Sequence, residues 1–160
     1  MPLSPGDVVI ERYRVEELLA QGGMSAVYRV WDLRLHLPRA LKEMVAYPGL
    51  DARALTQLRE QFFQEAQVLA ELRHPNMPRV IDHFEDKGNA YLVMDFEEGQ
   101  SLAQYLADHP ALSEPALMGF MQPLFDGLEV LHREGFIHRD IKPENIHLRR
   151  DGSRVLLDFG

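Results

Sequence analysis

The sequence predicts an α+β fold: an antiparallel-sheet lobe carrying one long helix, followed by the first part of a helical lobe. Three observations predict it. Short runs of alternating apolar and polar residues crowd the N-terminal quarter. A single helical period follows, from about Asp51 to Arg73. Beyond the polar stretch Asp95 to Gln100 the pattern changes to longer helical repeats.

The first strand candidate is Tyr13-Arg14-Val15-Glu16-Glu17-Leu18-Leu19. The second is Ala26-Val27-Tyr28-Arg29-Val30-Trp31, and the third is Arg39-Ala40-Leu41-Lys42-Glu43-Met44. Gln21-Gly22-Gly23-Met24-Ser25 between the first two reads as a flexible turn, and Pro48-Gly49 as a loop. The helix is written in Leu55, Leu58, Phe62, Ala66, Leu69 and Leu72, spaced by three and four. Asp51 suits its N-cap and His74-Pro75-Asn76 its stop. Arg79 to Phe84 and Ala90 to Met94 read as a hairpin around Asp86-Lys87-Gly88-Asn89. Ser101 suits the cap of a short helix to about Asp108. Ser113 suits that of a long one, with Leu117, Phe120, Met121, Leu124, Leu128 and Leu131 as its buried stripe. Pro123 falls inside that helix, so a kink or a tolerated defect is expected there. Gly135 ends it. The remainder reads as a loop, a short strand, a turn at Asp151-Gly152 and a strand from Arg154 to Leu157.

The 160 residues are 46% hydrophobic and 26% charged, which fits a packed domain and excludes a disordered or fibrous chain. The formal net charge of −8 disfavours a protein whose task is to grip nucleic acid or an anionic membrane. With no cysteine, disulfides and cysteine–zinc sites drop out, and a reducing, cytoplasmic setting is expected. No signal-peptide pattern and no membrane-length apolar run is visible.

The chemistry-bearing residues begin with His138-Arg139-Asp140-Ile141-Lys142-Pro143-Glu144-Asn145, followed by Asp158-Phe159-Gly160. These motifs resemble the catalytic loop and metal-binding triplet of protein kinases, specifically the bacterial, eukaryotic-like serine/threonine protein kinases. The resemblance runs from about Tyr13 to Gly160. It implies a protein-kinase-like fold with a complete small lobe and the first part of the large one. It also implies transfer of the γ-phosphoryl group of ATP to serine or threonine hydroxyls of proteins. Such transfer needs positioning and positive charge around phosphate oxygens more than covalent chemistry.

Carried over residue by residue, the resemblance makes Asp140 the catalytic base and places Lys142 on the γ-phosphate. A lysine at this position is similar to serine/threonine rather than tyrosine kinases. Asn145 and Asp158 are the implied ligands of Mg²⁺, or of Mn²⁺ in its place. Arg139 is implied to be structural or regulatory. Lys42, in Ala40-Leu41-Lys42, matches the strand lysine that holds the α- and β-phosphates, and Glu65 its helix partner. The phosphate-covering turn shows Ala20, Gly22 and Ser25 where the family has three glycines, with Gln21, Gly23 and Met24 between. Two glycines are therefore replaced by other small residues, which still let backbone N–H groups approach phosphate. Val27 and Ala40 are implied to cover the adenine, with Met94 as gatekeeper. The Asp95 carbonyl and the Glu97 N–H would pair with the base edge. His147 stands where relatives present an apolar side chain to the other ring face. Leu69, Val80, His138 and Phe159 match a hydrophobic column of the family, and ordinary core packing explains them equally. His36, His74, His83, His109 and His132 show no metal-ligand spacing.

The implied organisation is an N-terminal extension over 1–12, a small lobe over 13–94, a hinge over 95–100 and a partial large lobe over 101–160. The activation segment and substrate platform are expected beyond Gly160, so poor stability and doubtful activity are expected of these residues alone. Two other readings compete with this one. A small-molecule kinase such as an aminoglycoside phosphotransferase is disfavoured by Lys142 to Asn145. A non-catalytic nucleotide-binding or scaffolding module is disfavoured for the parent protein by the retention of Lys42, Asp140 and Asp158, and stays open for the fragment.

Overall fold

The computed structural model describes residues 2–45, 48–96, 98–138 and 141–157. The chain divides into two compact units. One comprises Met1–Ala70 with Val80–Phe96, the other Glu71–Arg79 with Glu97–Gly160.

The first unit is a six-stranded antiparallel sheet with one helix. Its strands are β1 (Val8–Val9), β2 (Tyr13–Gln21), β3 (Ser25–Asp32), β4 (Leu37–Met44), β5 (Val80–Asp86) and β6 (Asn89–Asp95), in the order β1-β2-β3-β4-β6-β5. The predicted strands are all present. Those flanking the glycine-containing turn run longer than their apolar alternation, because Gln21 pairs with Ala26 and Ser25 with Met44. Ladder hydrogen bonding thus holds the polar ends. Two bulges in β2 strengthen its twist. The β5–β6 turn is formed by Lys87 and Gly88, both at positive φ (48° and 83°). That conformation is the one a two-residue hairpin requires.

Helix α1 (Ala52–Glu71) begins where Asp51 caps it, the Asp51 carboxylate accepting from the Ala54 N–H at 2.7 Å. Its period buries Phe62, Ala66 and Leu69. Phe62 and Ala66 pack with Met44, Ala90 and Leu92 on one sheet face. The other face has a core of its own, built from Val15, Ala26, Tyr28, Val30, Leu41, Tyr91 and Val93. The N-terminal segment contributes Val9, with Leu3 and Ile10 packed alongside. Strand β1 carried no legible signal, since two residues are too few to show a period. It extends the sheet by pairing Val8 with Arg14 and Val9 with Tyr13. Arg12 then grips Asp32 through two of its guanidinium nitrogens.

The second unit holds β7 (Gly99–Ser101), β8 (Ile146–Arg149) and β9 (Arg154–Leu156) in that order, with α2 (Leu102–Asp108) and α3 (Glu114–Arg133). Ser101 and Gln104 form a reciprocal capping box on α2, and Ser113 caps α3. Pro123 lies within a continuous twenty-residue α3. The carbonyl its ring would crowd belongs to Gly119, a residue with room to adjust. Gly127 is buried on α3, and a Cβ there would come within 2.8 Å of the Met77 side chain. Helix α3 thus seats the 74–77 segment.

Strand β7 occupies residues that read from sequence as connector. Gly99 makes it feasible: φ is +145°, and a Cβ would lie 1.8 Å from the Leu148 carbonyl oxygen. Gly99→Ala is therefore expected to open the β7–β8 pairing at a cost of about 2 kcal/mol. Urea titration followed by circular dichroism checks it, with Gly135→Ala, another positive-φ glycine but one in open space, as comparison.

Candidate active site

In the first unit the candidate residues converge through strand register. Val27 pairs with Ala20 on one side and Lys42 on the other, and Lys42 pairs with Leu92. Directly paired residues share a sheet face, so Ala20, Val27, Lys42 and Leu92 form one row across four strands. The next row on that face holds Arg29, Ala40 and Met94. Small and branched side chains thus flank a lysine, on a face that is apolar apart from Lys42 and Arg29.

The lysine is fixed. The Lys42 ammonium donates to Glu65 Oε1 at 3.0 Å, and the two side chains are 3% and 10% exposed. Helix α1 supplies Glu65 from its buried face, one residue before Ala66. The Phe62 ring lies 5.9 Å from the ammonium. A buried charge pair needs such geometry, because desolvation opposes it.

The turn Gly22–Met24 is exposed, as are Ala20 and Gln21. Its ends are tied by the backbone: the Gly22 N–H donates to the Ser25 carbonyl at 2.8 Å, and the Val45 N–H to the Met24 carbonyl at 2.9 Å. Asp95 ends β6, and its carboxylate accepts from Arg39. One contact here was missed in the sequence. Arg29 bridges to Glu16 at 3.2 Å, and its guanidinium sits 5.0 Å from the Phe96 ring centre, bracing the residue after Asp95. Strand alternation from Val27 would have placed Arg29 on this face.

In the second unit, Lys142 is exposed and precedes a 3-10 turn (Pro143–Asn145), with the Asn145 N–H donating to the Lys142 carbonyl at 2.9 Å. Asn145 is buried. His147 is half-buried on β8, paired with Ser101 and Val155. Leu157 is held from both sides. Its N–H donates to the Asn145 carbonyl at 2.7 Å, and its carbonyl lies 3.0 Å from Nε2 of the buried His138. A carbonyl only accepts, so His138 carries its proton on Nε2 in this contact. The clamp fixes the backbone immediately before residue 158. Sequence gave no sign of this role for Leu157, because it is made by main-chain atoms.

Glu97, Asp140 and Asp158 lie outside the described residues, as do Arg139 and Phe159 of the two motifs. Leu69 is buried on α1, and Val80 is half-buried against the cluster of Met44, Phe62, Ala66, Ala90 and Leu92. Among the described residues there is no cluster of three or more metal-ligating side chains of histidine, aspartate or glutamate. Asn145 offers an amide oxygen suited to a hard cation. No described helix is long and apolar enough to cross a membrane.

Comparison with known proteins identifies the family. The family model described as "Protein kinase domain" matches residues 13–160. The chain belongs to the protein kinase family. This kinase chain is 39% identical over 149 residues to the serine/threonine-protein kinase PknL of Mycobacterium bovis, covering 93% of the chain and 36% of PknL. It is 38% identical over 162 residues to the serine/threonine-protein kinase pkn2 of Myxococcus xanthus, covering 99% of the chain and 19% of that protein. Among solved structures, "PpkA-294 apo form" superposes with a TM-score of 0.81 at 30% identity, over 99% of the chain and 62% of that one. The Mycobacterium tuberculosis PknI kinase domain gives 0.78 at 30% identity, over 99% and 61%. The kinase fold is therefore present as its sheet lobe and a partial helical lobe, and the chain spans about a third or less of these two curated relatives.

Proposed function

We propose that this chain supplies the nucleotide-binding and phosphoryl-transferring residues of a bacterial serine/threonine protein kinase working in the cytoplasm. The single observation that supports this reading most is the buried Lys42–Glu65 pair at 3.0 Å, on the same sheet face as Val27 and Ala40. An ammonium held among apolar side chains suits a ligand with a flat base and a polyanionic tail. The α- and β-phosphates of ATP would take Lys42, and the adenine would lie on Val27 and Ala40 with Met94 behind it. The Asp95 carbonyl and the Glu97 N–H would meet its polar edge. The turn from Ala20 to Ser25 would cover the phosphates with backbone N–H groups, and His147 would take the position at which relatives present an apolar side chain to the base.

In the reaction, the serine or threonine oxygen bonds to the γ-phosphorus as the bond to the β–γ bridging oxygen breaks and ADP leaves. Asp140 orients that hydroxyl and takes its proton. Lys142 neutralises charge on the transferring group. Asn145 and Asp158 would hold Mg²⁺, which supplies further charge neutralisation on the phosphates.

The test is incubation of the chain with Mg²⁺ and γ-labelled ATP, alone and with a serine/threonine protein acceptor, beside Asp140→Asn. Label transfer that is lost in the variant supports the enzyme reading. Nucleotide bound with no transfer by either protein would favour the non-catalytic module. Absence of nucleotide binding would overturn the reading.

A further inference from the structure

Strand β4 presents Lys42 on one face, so its neighbour Glu43 points to the other. Glu43 is 2% exposed, yet the proposed chemistry makes no use of it. Its carboxylate accepts three hydrogen bonds. Tyr28 Oη donates to Oε2 at 3.0 Å, while Tyr91 Oη and Asn89 Nδ2 donate to Oε1 at 3.2 Å each. Tyr28 belongs to β3 and the other two to β6, the strands flanking β4 on either side. One carboxylate therefore ties the three central strands together at the level of Lys42. The network also reaches the chain's beginning, since the Leu3 N–H donates to Tyr28 Oη at 3.1 Å. Burial, and then the neighbouring carboxylate, push both tyrosine hydroxyls up to about 12, so both remain protonated donors.

A strand paired on both sides can still roll about its own axis, and rolling β4 would swing the Lys42 side chain away from Glu65. Such a roll would carry Glu43 out of its three hydrogen bonds at once. Two of the donors, Tyr28 and Tyr91, are buried in an apolar core and have no water to turn to, while Asn89 is half-buried at the edge of the network. We propose that Glu43 is a positioning residue for Lys42, its carboxylate locking the roll of β4 from the far face of the sheet, and that the N-terminal segment completes the lock through Tyr28. The functional part of this rests on the reading of Lys42 as the phosphate-holding lysine. The structural part does not, and the two are tested separately.

The direct readout is the ¹H–¹⁵N signal of the Lys42 side-chain ammonium in the full chain, recorded beside the backbone amide spectrum. MgATP affinity is measured by calorimetry. In Glu43→Ala the Lys42 signal is expected to vanish into solvent exchange while sheet amides persist, and MgATP affinity to fall about tenfold. Glu43→Gln keeps one acceptor oxygen and is expected to restore part of both. Tyr28→Phe, which removes a single donor, is the milder variant if alanine at 43 fails to fold, and is expected to weaken the Lys42 signal and cost about threefold in affinity. An unchanged Lys42 signal in a folded Glu43→Ala or Tyr28→Phe protein overturns the proposal. So does loss of the signal only together with the whole amide spectrum in every variant, because Glu43 would then be a folding determinant and nothing more. If the wild-type chain shows the Lys42 signal but binds no MgATP, the kinase reading of Lys42 fails. Control of Lys42 by Glu43 is then judged on the ammonium signal alone.

Discussion

Replacing Glu65 with alanine is expected to destabilise the sheet unit by about 3 kcal/mol and to abolish measurable MgATP binding at millimolar nucleotide. The pair it breaks is buried on both sides, with Lys42 and Glu65 side chains 3% and 10% exposed. Removing one partner leaves the Lys42 ammonium without the carboxylate that meets it at 3.0 Å, in a setting that includes the Phe62 ring. The stability and binding effects separate in a second variant. Lys42→Met with Glu65→Leu replaces the charges by apolar side chains of similar length. That double variant is expected to recover part of the lost stability, since buried pairs exchange for packed apolar groups at little cost. It is expected to recover none of the nucleotide binding. Urea titrations and calorimetry on the same three proteins check both statements. A double variant that binds MgATP as wild type does would count against the role given to Lys42.

The second large effect is expected at Asp32, which has nothing to do with phosphate. Its carboxylate is fully buried at the end of β3. Arg12 reaches it at 2.8 Å, and the N–H groups of Arg34 and Leu35 donate to it at 2.9 and 3.1 Å. Burial alone would push this carboxyl up. The Arg12 hydrogen bonds and the two amides outweigh it and hold the group at about 2, below its ordinary 3.8. A carboxyl lowered on folding stabilises the folded state fully above its unfolded value. That contribution fades as pH falls from about 4 towards about 2, and it amounts to about 2 kcal/mol. Asp32→Asn is expected to remove this component, so the difference in unfolding free energy between wild type and variant should shrink as pH falls through that window. Asp32→Ala is expected to cost about 3 kcal/mol at neutral pH, because two amides and a guanidinium lose their acceptor. A difference that stays constant from pH 5 to pH 2 would refute the assignment.

Elements with enough residues to show a period were legible in the sequence. Five of the six periodic Leu, Phe and Ala positions lie in α1 and marked its inward face, with Leu72 just past its end, and Asp51 and Ser113 marked helix starts because a capping side chain is a local device. The turn at Lys87 and Gly88 was legible for the same reason. Strands β1 and β7 were not. The first holds two residues, and the second depends on a close approach of Gly99 to Leu148, which is distant in the chain. Pairing between distant segments leaves no mark in a local pattern. The same division holds for the site. Lys42 and Glu65 could be named because contiguous motifs elsewhere made the family resemblance specific. The Leu157 clamp, the Arg29 brace over Phe96 and the Glu43 network are products of register. Alternation predicts which face each side chain takes, but not what stands opposite.

The allocation of Glu71–Arg79 to the second unit has a consequence for how the chain can be taken apart. The polypeptide leaves the sheet unit after α1, contributes one stretch to the helical unit, and returns to make β5 and β6. That stretch is held by Asn76, which donates to the Arg154 carbonyl at 2.8 Å and accepts from the Leu156 N–H at 2.9 Å, and by Arg149 on the Pro75 carbonyl. A protease that nicks the connector near Glu98 therefore releases neither half: the fragments stay threaded together through the earlier excursion. Splitting the protein into two expressible pieces at that connector would likewise leave the C-terminal piece short of an internal segment. A circular permutant that opens the chain at the Lys87–Gly88 turn keeps the excursion intact.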